Sequence, residues 1–296
     1  MVVELGSWTI LSSTELRSSP VNVSFFADSP VLYAAMEAER QGDRLAKPVL
    51  TVDFAKTKVD ELLEPAAPGR GAVSYRALSR QTLLGEERRA GDREADSLFL
   101  TQLPGYQEMR RVPLAAAPRK GSVESVSIVS ADRKLVVYGY DRSVLLRRTE
   151  DLSLVWKQDG VEKSAVDKQL AISATGTLVA APFERKGSPT VFVFDGATGK
   201  EVAAIASEPV TGLAISPDGR YVAVGVTVKD KTDLVPTVRL HEISSGRSVD
   251  TLVHDRVPQG KDAASKAAFG PRGVQFTADG KYLLTSTMHT RAWQLT

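Results

Sequence analysis

Few residues of this chain could perform chemistry, and their spacing matches no common catalytic or metal-binding pattern. The only histidines are His241, His254 and His289, and no two of them stand at a spacing typical of metal ligands. The motifs Gly-x-Ser-x-Gly, Gly-x-Gly-x-x-Gly, His-Glu-x-x-His and the phosphate-binding Walker loop do not occur. The chain has no cysteine, which excludes disulfides and thiolate metal sites. We therefore predict no catalytic residues, no metal site and no cofactor.

Aspartates recur in one kind of short polar segment and could suggest a calcium site. They are Asp28, Asp132, Asp218 and Asp279. Each lies between two apolar runs, among residues typical of tight turns, where an aspartate side chain caps nearby backbone amides. We predict that these aspartates are structural. The tryptophans Trp8, Trp156 and Trp293 fall at strand positions, and we expect them to pack one sheet on another.

The elements that carry these turns are clearest between Val210 and Val253. Four apolar, β-branched runs, LAIS, YVAVGV, TVRLHEI and SVDTLV, are separated by the turns SPDG and SSGR and by a polar link from Lys229 to Asp233. Short runs of this kind, bounded by turn residues, predict strands joined by hairpins. The segment therefore predicts one four-stranded antiparallel sheet.

The same four-strand pattern recurs along the chain. The first turns centre on Asp28, Arg80, Asp132, Thr175, Asp218 and Asp279, with successive spacings of 52, 52, 43, 43 and 61 residues. A period of roughly 40–50 residues with four strands per repeat predicts a β-propeller. We predict one all-β domain over 1–296, with blades at 21–64, 72–116, 122–159, 166–206, 210–253 and 273–296. The second copy is the weakest, since Leu78 to Arg89 could equally be helical.

The last copy contains only three strand-like runs. The isolated run Ser7–Ser12 could supply the outer strand of that blade, so residues 1–16 are predicted to close a ring of six four-stranded blades. Seven blades is the alternative, with a degenerate blade concealed in the segment His254–Gly273. We expect that segment instead to be a loop outside the blade sheets, with helical turns from Ala263 to Phe269.

The repeats resemble those of a known family. The segments SPDGRYVAVG, TADGKYLLTS, FVFDGATGKEVAAI and LHEISSGRSVDTL are similar to WD-repeat-like β-propellers of bacterial type, and the resemblance covers nearly the whole chain. No repeat carries the Gly-His and Trp-Asp dipeptides of the family; Asp195 and Trp293 each occupy the place of one partner. The resemblance implies the fold and leaves the function open.

Composition sets limits on the partners. Apolar residues make up 42% and charged residues 25% of the chain, as in soluble globular proteins. A net charge of +2 is too small to indicate general electrostatic binding to nucleic acids or to membrane surfaces. No signal peptide or transmembrane segment is evident, so we expect a soluble cytoplasmic protein that binds neither nucleic acid nor membrane. A domain cut from a longer chain would look the same.

Loop lengths predict where a partner binds. Links between strands one and two, and between strands three and four, are tight and share one face of a propeller. The opposite face, which we name the long-loop face, carries the links 37–47, 86–96, 184–188, 229–235 and 254–273. Because function often resides on such loops, we predict a non-catalytic scaffold that binds a protein partner there. The candidate partner-binding residues are Arg40, Arg44, Arg88, Arg93, Arg185, Lys229, Lys231, Arg256, Lys261 and Lys266.

Two alternatives remain open. Drift in loop length would produce the same asymmetry without any function. A propeller enzyme or small-ligand binder, similar to hydrolases and lactonases, would instead have its site at the mouth of the central channel. Carboxylates and histidines at the inner ends of the first strands would favour that alternative, but the sequence has mostly Val, Leu, Ser and Ala there.

Overall fold

All regular secondary structure that the computed structural model describes is β-strand. It describes residues 2–3, 10–12, 20–25, 31–36, 39–41, 44–46, 48–53, 58–63, 72–79, 81–88, 97–103, 105, 107–114, 125–140, 143–159, 169–230, 233–258, 270–287 and 289–295. Within these ranges, no helix has the length and hydropathy that a transmembrane span requires. The chain divides into two compact units, Met1–Ser122 and Val123–Thr296.

Among its described residues, the first unit contains two four-stranded antiparallel sheets and two two-stranded sheets. Its strands are β1 (Val2–Val3), β2 (Ile10–Ser12), β3 (Pro20–Phe25), β4 (Val31–Met36), β5 (Glu39–Gln41), β6 (Arg44–Ala46), β7 (Pro48–Asp53), β8 (Lys58–Leu63), β9 (Ala72–Ala77), β10 (Thr82–Arg88), β11 (Ser97–Gln102) and β12 (Gln107–Pro113). Sheet I has the order β3-β4-β7-β8 and sheet II the order β9-β10-β11-β12.

Among the described residues, the second unit contains two four-stranded sheets, one five-stranded sheet and one sheet of three strands. Its strands are β13 (Ser125–Val129), β14 (Leu135–Tyr140), β15 (Ser143–Arg148), β16 (Leu154–Asp159), β17 (Ala171–Ile172), β18 (Leu178–Arg185), β19 (Ser188–Asp195), β20 (Glu201–Ala206), β21 (Val210–Ile215), β22 (Tyr221–Asp230), β23 (Asp233–Glu242), β24 (Ser248–Val253), β25 (Val257–Pro258), β26 (Gly273–Phe276), β27 (Tyr282–Ser286) and β28 (Thr290–Gln294). Sheets III and IV are β13–β16 and β17–β20; sheet V has the order β21-β22-β23-β24, with β25 also paired to β23; sheet VI is β26–β28.

These sheets confirm the predicted strand pattern, including its weakest copy. Residues 82–88 form a strand of sheet II and not a helix. Gly85 lies opposite Phe99 on β11, and a Cβ at Gly85 would collide with the Phe99 ring. The backbone of β10 therefore lies directly against the buried Phe99 ring. This close approach requires glycine at position 85, because any side chain there would occupy the same space as the ring.

The core of the second unit is built between successive sheets. Side chains alternate along each strand, so that Val222 and Val224 of β22 pack towards sheet IV while Ala223 packs towards sheet VI. This alternation is the two-residue period of a strand that is covered on both faces. Trp156 packs on Phe194 of sheet IV, with ring centroids 5.9 Å apart, and Trp293 packs in the cluster between sheets V and VI. The predicted packing role is confirmed for both tryptophans; Trp8 lies outside the described residues.

Two of the predicted long links are wrong. The strands β22 and β23 stay paired down to Asp230 opposite Asp233, so Lys229–Val235 is mostly a strand extension. Likewise β18 and β19 are paired to Arg185 opposite Ser188, leaving the two-residue turn Lys186–Gly187. Polar residues can occupy strands at the exposed end of a hairpin, because the backbone groups pair with each other whatever the side chains are.

The N-terminal run that was predicted to close the ring pairs with a strand of its own unit. Ile10–Ser12 pairs with Val2–Val3 in a two-stranded sheet. Sheet VI has three strands among the described residues, with β28 as its edge. Ring closure, the blade count and a single domain over 1–296 stay predictions.

Candidate functional site

The repeated aspartate turns are closed by their own hydrogen bonds. Ser216 Oγ donates to Asp218 Oδ1 at 2.5 Å and accepts from the Tyr221 amide at 2.9 Å. Asp218 Oδ1 also accepts from the Arg220 amide at 3.1 Å. The Ser216 hydroxyl thereby holds the pKa of Asp218 below its usual range. The side chains of Ser216 and Asp218 therefore cap backbone amides of their own turn, as predicted.

The same arrangement recurs in two neighbouring turns. Ser130 donates to Asp132 at 2.6 Å, and Thr277 donates to Asp279 at 2.6 Å. The structural role of Asp132, Asp218 and Asp279 is confirmed, while Asp28 lies outside the described residues. Within the described part of the chain, no three acidic or histidine side chains form a group suited to a metal ion.

Two of the three histidines, His241 and His254, are buried and lie within hydrogen-bond distance of neighbouring groups. The Nδ1 atom of His241 lies 3.3 Å from the Gly246 carbonyl, in the turn after its own strand. The Nε2 atom of His254 lies 2.8 Å from Thr285 Oγ1, which also accepts a 2.7 Å hydrogen bond from Trp293 Nε1. Burial lowers the pKa of both His241 and His254. His289 is exposed and immediately precedes β28.

The candidate cations fall on both units. Arg40 and Arg44 lie on the hairpin β5–β6, and Arg88 ends β10. In the second unit, Arg185 forms an ion pair with Glu201 at 2.6 Å and covers the Phe192 ring at 4.4 Å. Arg93, Lys231, Lys261 and Lys266 lie outside the described residues.

The structure brings Arg256 and the tip of the β22–β23 hairpin together. The Arg256 guanidinium lies 2.7 Å from Asp230 and 3.8 Å from Asp233. The next two residues, Val257–Pro258, form β25, which pairs with Leu234 and Asp233 on the edge of β23. Lys229 is exposed on the same hairpin. The described end of this hairpin is thus braced by the segment that follows sheet V, and we name it the β22–β23 projection (residues 227–230 and 233–236 with 256–258).

Both ends of the segment His254–Gly273 belong to the core, contrary to the prediction of a loop outside the sheets. His254 is buried, and Thr211 Oγ1 donates to the Pro271 carbonyl at 3.1 Å. A Cβ at Gly212 or Gly225 would collide with that carbonyl. Residues 259–269, including the predicted helical turns, lie outside the described residues.

A cavity of about 510 Å³ lies within the second unit, between the first strands of its sheets and beside their tight turns. Its walls come from β13, β17, β21 and β26 and are mainly aliphatic, as the sequence predicted for the first strands. Among the described residues that line it, Arg133 is the one charged side chain. A lining of this composition is suited to contact with an apolar ligand and contains no pair of groups for acid–base catalysis among the described residues.

The sequence analysis did not single out Arg133, although a signal was present. In the aligned turns SADRK, SATGT, SPDGR and TADGK, the fourth residue is Gly176, Gly219 or Gly280 in all but the first. A comparison of the repeats at that position would have identified Arg133 as the exception.

Comparison with known proteins supports the fold. Hydrazine synthase from Kuenenia stuttgartiensis is similar in structure, with a TM-score of 0.58 and 17% identity over 97% of this chain and 80% of that one. No protein-family model matches the chain, and neither does any curated protein sequence. At this identity the similarity concerns the fold alone. The chain therefore has a β-propeller-like, all-β fold built from antiparallel four-stranded sheets.

Proposed function

We propose that the protein is a non-catalytic scaffold that binds a protein partner through the long-loop face. The observation that carries this proposal is the β22–β23 projection. Its strands run ten residues each, its edge is covered by β25, and Arg256 ties its tip to the following segment. Preorganised surfaces bind with less ordering cost than mobile loops.

The charges on this projection refine the expected partner. Arg256 already contacts Asp230 and Asp233, and Arg185 contacts Glu201, so these cations are partly neutralised within the chain. We propose Lys229, with Lys231, Lys261 and Lys266 from the adjoining segments, as the group that meets an acidic or polar partner surface.

The finer fold assignment is also a proposal. We propose a WD-repeat-like propeller of six blades, closed by the N-terminal strand, in a cytoplasmic protein. The relay of His254, Thr285 and Trp293 supports the WD-like type, because it joins a link between sheets to two strands of the next sheet. The three-stranded sheet VI supports closure by a strand from elsewhere.

Affinity capture from the native source tests the partner proposal. One bait is the wild-type chain. A second carries Lys229→Glu and a Gly-Ser replacement of residues 259–269 at equal length, which spares the core ends at His254 and Gly270. A control bait carries Lys200→Glu and Lys281→Glu, two exposed lysines of the tight turns.

A partner retained by the wild-type and control baits and lost from the second bait is the expected result. Identical partner lists from all three baits would contradict the proposal, as would loss from the control bait alone. All three proteins should first show equal thermal stability, so that unfolding is not mistaken for lost binding.

A further inference from the structure

The first strands of the four sheets in the second unit end in equivalent turns. In each turn, the first residue donates its backbone N–H to the carbonyl of the residue that opens the second strand, over 2.9–3.0 Å: Ser130 to Leu135, Ser173 to Leu178, Ser216 to Tyr221 and Thr277 to Tyr282. The fourth turn residue has a left-handed backbone in all four, with a φ of 60° at Arg133 and of 72°, 73° and 70° at Gly176, Gly219 and Gly280. The backbones of β13, β17, β21 and β26 therefore enter these turns in the same orientation.

This register decides which peptide groups of the first strands face the cavity between them. Successive residues of an antiparallel strand direct their N–H and C=O groups to opposite sides. Because Ser216 bonds to β22, the N–H and C=O of the preceding residue, Ile215, point away from β22. The same reasoning applies to the residues that precede the other three turns, Val129, Ile172 and Phe276. All four of these residues line the cavity.

The inward peptide groups pair with no strand that the structure describes. Each of β13, β17, β21 and β26 stands at the end of the strand order of its sheet, and the described residues place no strand beyond it. A backbone N–H or C=O that is shielded from water costs free energy unless it is hydrogen-bonded. Four equivalent donor–acceptor pairs thus face one mainly aliphatic cavity and offer hydrogen bonds to a molecule inside it.

The inward edge of β21 is long enough to hold an extended ligand. The strand has six residues, of which the last five are buried. Leu213 lies two residues before Ile215, so its peptide groups point to the same side, and both residues line the cavity. A ligand that exchanges one N–H···O bond in each direction with Ile215 would be held as the partner residue is held in an antiparallel pair.

We propose that this cavity binds a small, uncharged, apolar amide, which pairs with the inward edge of β21 through one N–H donor and one C=O acceptor. The aliphatic wall contacts the apolar part, and burying a charge there would cost more than burying an amide that is hydrogen-bonded. The volume of about 510 Å³ is within the size range of small-molecule sites. The polar contacts come from the backbone, because Arg133, the one charged residue of the described lining, already has an interaction within the protein. This site lies beside the tight turns and is independent of the partner surface proposed above.

Calorimetric titration with N-acetyl-leucine N-methylamide tests the proposal. The leucine N–H and C=O of this compound match the donor–acceptor pair that Ile215 presents. In the matched ester, an oxygen replaces the leucine N–H, so the apolar body stays and that donor is lost. We expect the ester to bind the wild-type chain at least about 5-fold more weakly, as for the loss of one hydrogen bond. The charged acid N-acetyl-leucine should also bind more weakly than the amide.

Two substitutions at one position test the pairing from the side of the protein. Ile215→Pro removes the inward N–H, which makes no bond to β22, and a proline is tolerated in an edge strand at such a point. Ile215→Ala also shortens the side chain but keeps the N–H. With both variants folded by circular dichroism, we expect the proline variant to bind the amide about 5-fold more weakly than the alanine variant. Equal affinities of the two would contradict pairing with β21.

A third variant locates the binding. Ala278→Phe adds a ring at an exposed position of the cavity lining and should abolish amide binding. Its control, Ala197→Phe, adds the same ring at an exposed turn residue outside the lining and should leave binding unchanged. Unchanged affinity of Ala278→Phe would overturn the proposal. So would a wild-type chain that does not bind the amide up to its solubility, that binds amide and ester equally, or that prefers the charged acid.

Discussion

The indole of Trp293 donates a 2.7 Å hydrogen bond to the hydroxyl of Thr285, eight residues earlier on the neighbouring strand. Because Thr285 accepts from Trp293, its own proton can point at His254 Nε2, 2.8 Å away in the link that follows sheet V. The ring of His254 stands edge-on to Trp293, with centroids 5.7 Å apart. The relay therefore fixes the link between two sheets to the middle of sheet VI.

Removing the hydroxyl of Thr285 should destabilise the second unit. Thr285→Val leaves the Trp293 indole N–H and the His254 ring without their shared partner in a buried site, at an expected cost of about 1–3 kcal/mol. Urea unfolding measures this loss. The control Thr290→Val removes an exposed hydroxyl from β28 and should change the free energy of unfolding little. Equal effects of the two substitutions would contradict the relay.

Acidification should weaken the fold through His254. Burial lowers its pKa, with Arg291 adding to the effect and Asp255 opposing it. The unfolded chain therefore binds a proton more readily than the folded one, so the free energy of unfolding falls as the pH drops below about 6.5, the pKa of an unperturbed histidine. His241 contributes with the same sign. Urea midpoints measured over a pH series should show a shallower decline for His254→Gln than for the wild type, and parallel curves would exclude His254 as a contributor.

The strain at Arg133 can be measured against a glycine in the equivalent turn. Arg133→Gly and Arg133→Ala both remove the side chain, but only glycine relieves the left-handed backbone, so the glycine variant should be more stable by about 1 kcal/mol. The converse substitution, Gly219→Ala, introduces the same strain at a φ of 73° and should destabilise by a similar amount. Equal stability of the two Arg133 variants would show that the turn is unstrained.

In the first unit, one arginine bridges two glutamates of different burial. Arg111 lies 2.5 Å from the fully buried Glu87 and 2.5 Å from the partly exposed Glu108. Glu87→Gln should cost about 1–3 kcal/mol, because the buried side of the guanidinium loses a charged acceptor. Glu108→Gln should cost less than about 1 kcal/mol, as for solvent-screened ion pairs. Chemical unfolding of both variants, with salt titration of the Glu108 effect, tests this order; a larger loss for Glu108→Gln would reverse the interpretation.

Ring closure predicts a large effect of a short truncation. Removal of residues 1–16 should leave an edge of the last sheet unpaired and cost several kcal/mol out of a typical total of about 5–15 kcal/mol. We expect the truncated chain to aggregate or fail to fold, as measured by light scattering and thermal unfolding. A truncated chain that stays monomeric with an unchanged melting temperature would rule out the N-terminal run as the closing element.

The local pattern of this sequence determined its strands and tight turns. Runs such as YVAVGV alternate between two covered faces, and the hydrogen bonds of Asp218 reach only two residues away. Information of that range is contained in adjacent residues, so the sheets and the capping role of the aspartates could be predicted. The same reasoning wrongly predicted a loop at 229–235 from its polar composition. Strand pairing there depends on backbone hydrogen bonds between β22 and β23, which do not require apolar side chains.

Only the tertiary structure decided which distant residues meet. His254 and Thr285 are 31 residues apart, and Arg256 reaches back to Asp230 across the hairpin. The cavity of the second unit exists only because four sheets place their first strands around one space. These contacts depend on how sheets pack against each other, and packing is set by the summed fit of many side chains, which no spacing along the sequence records.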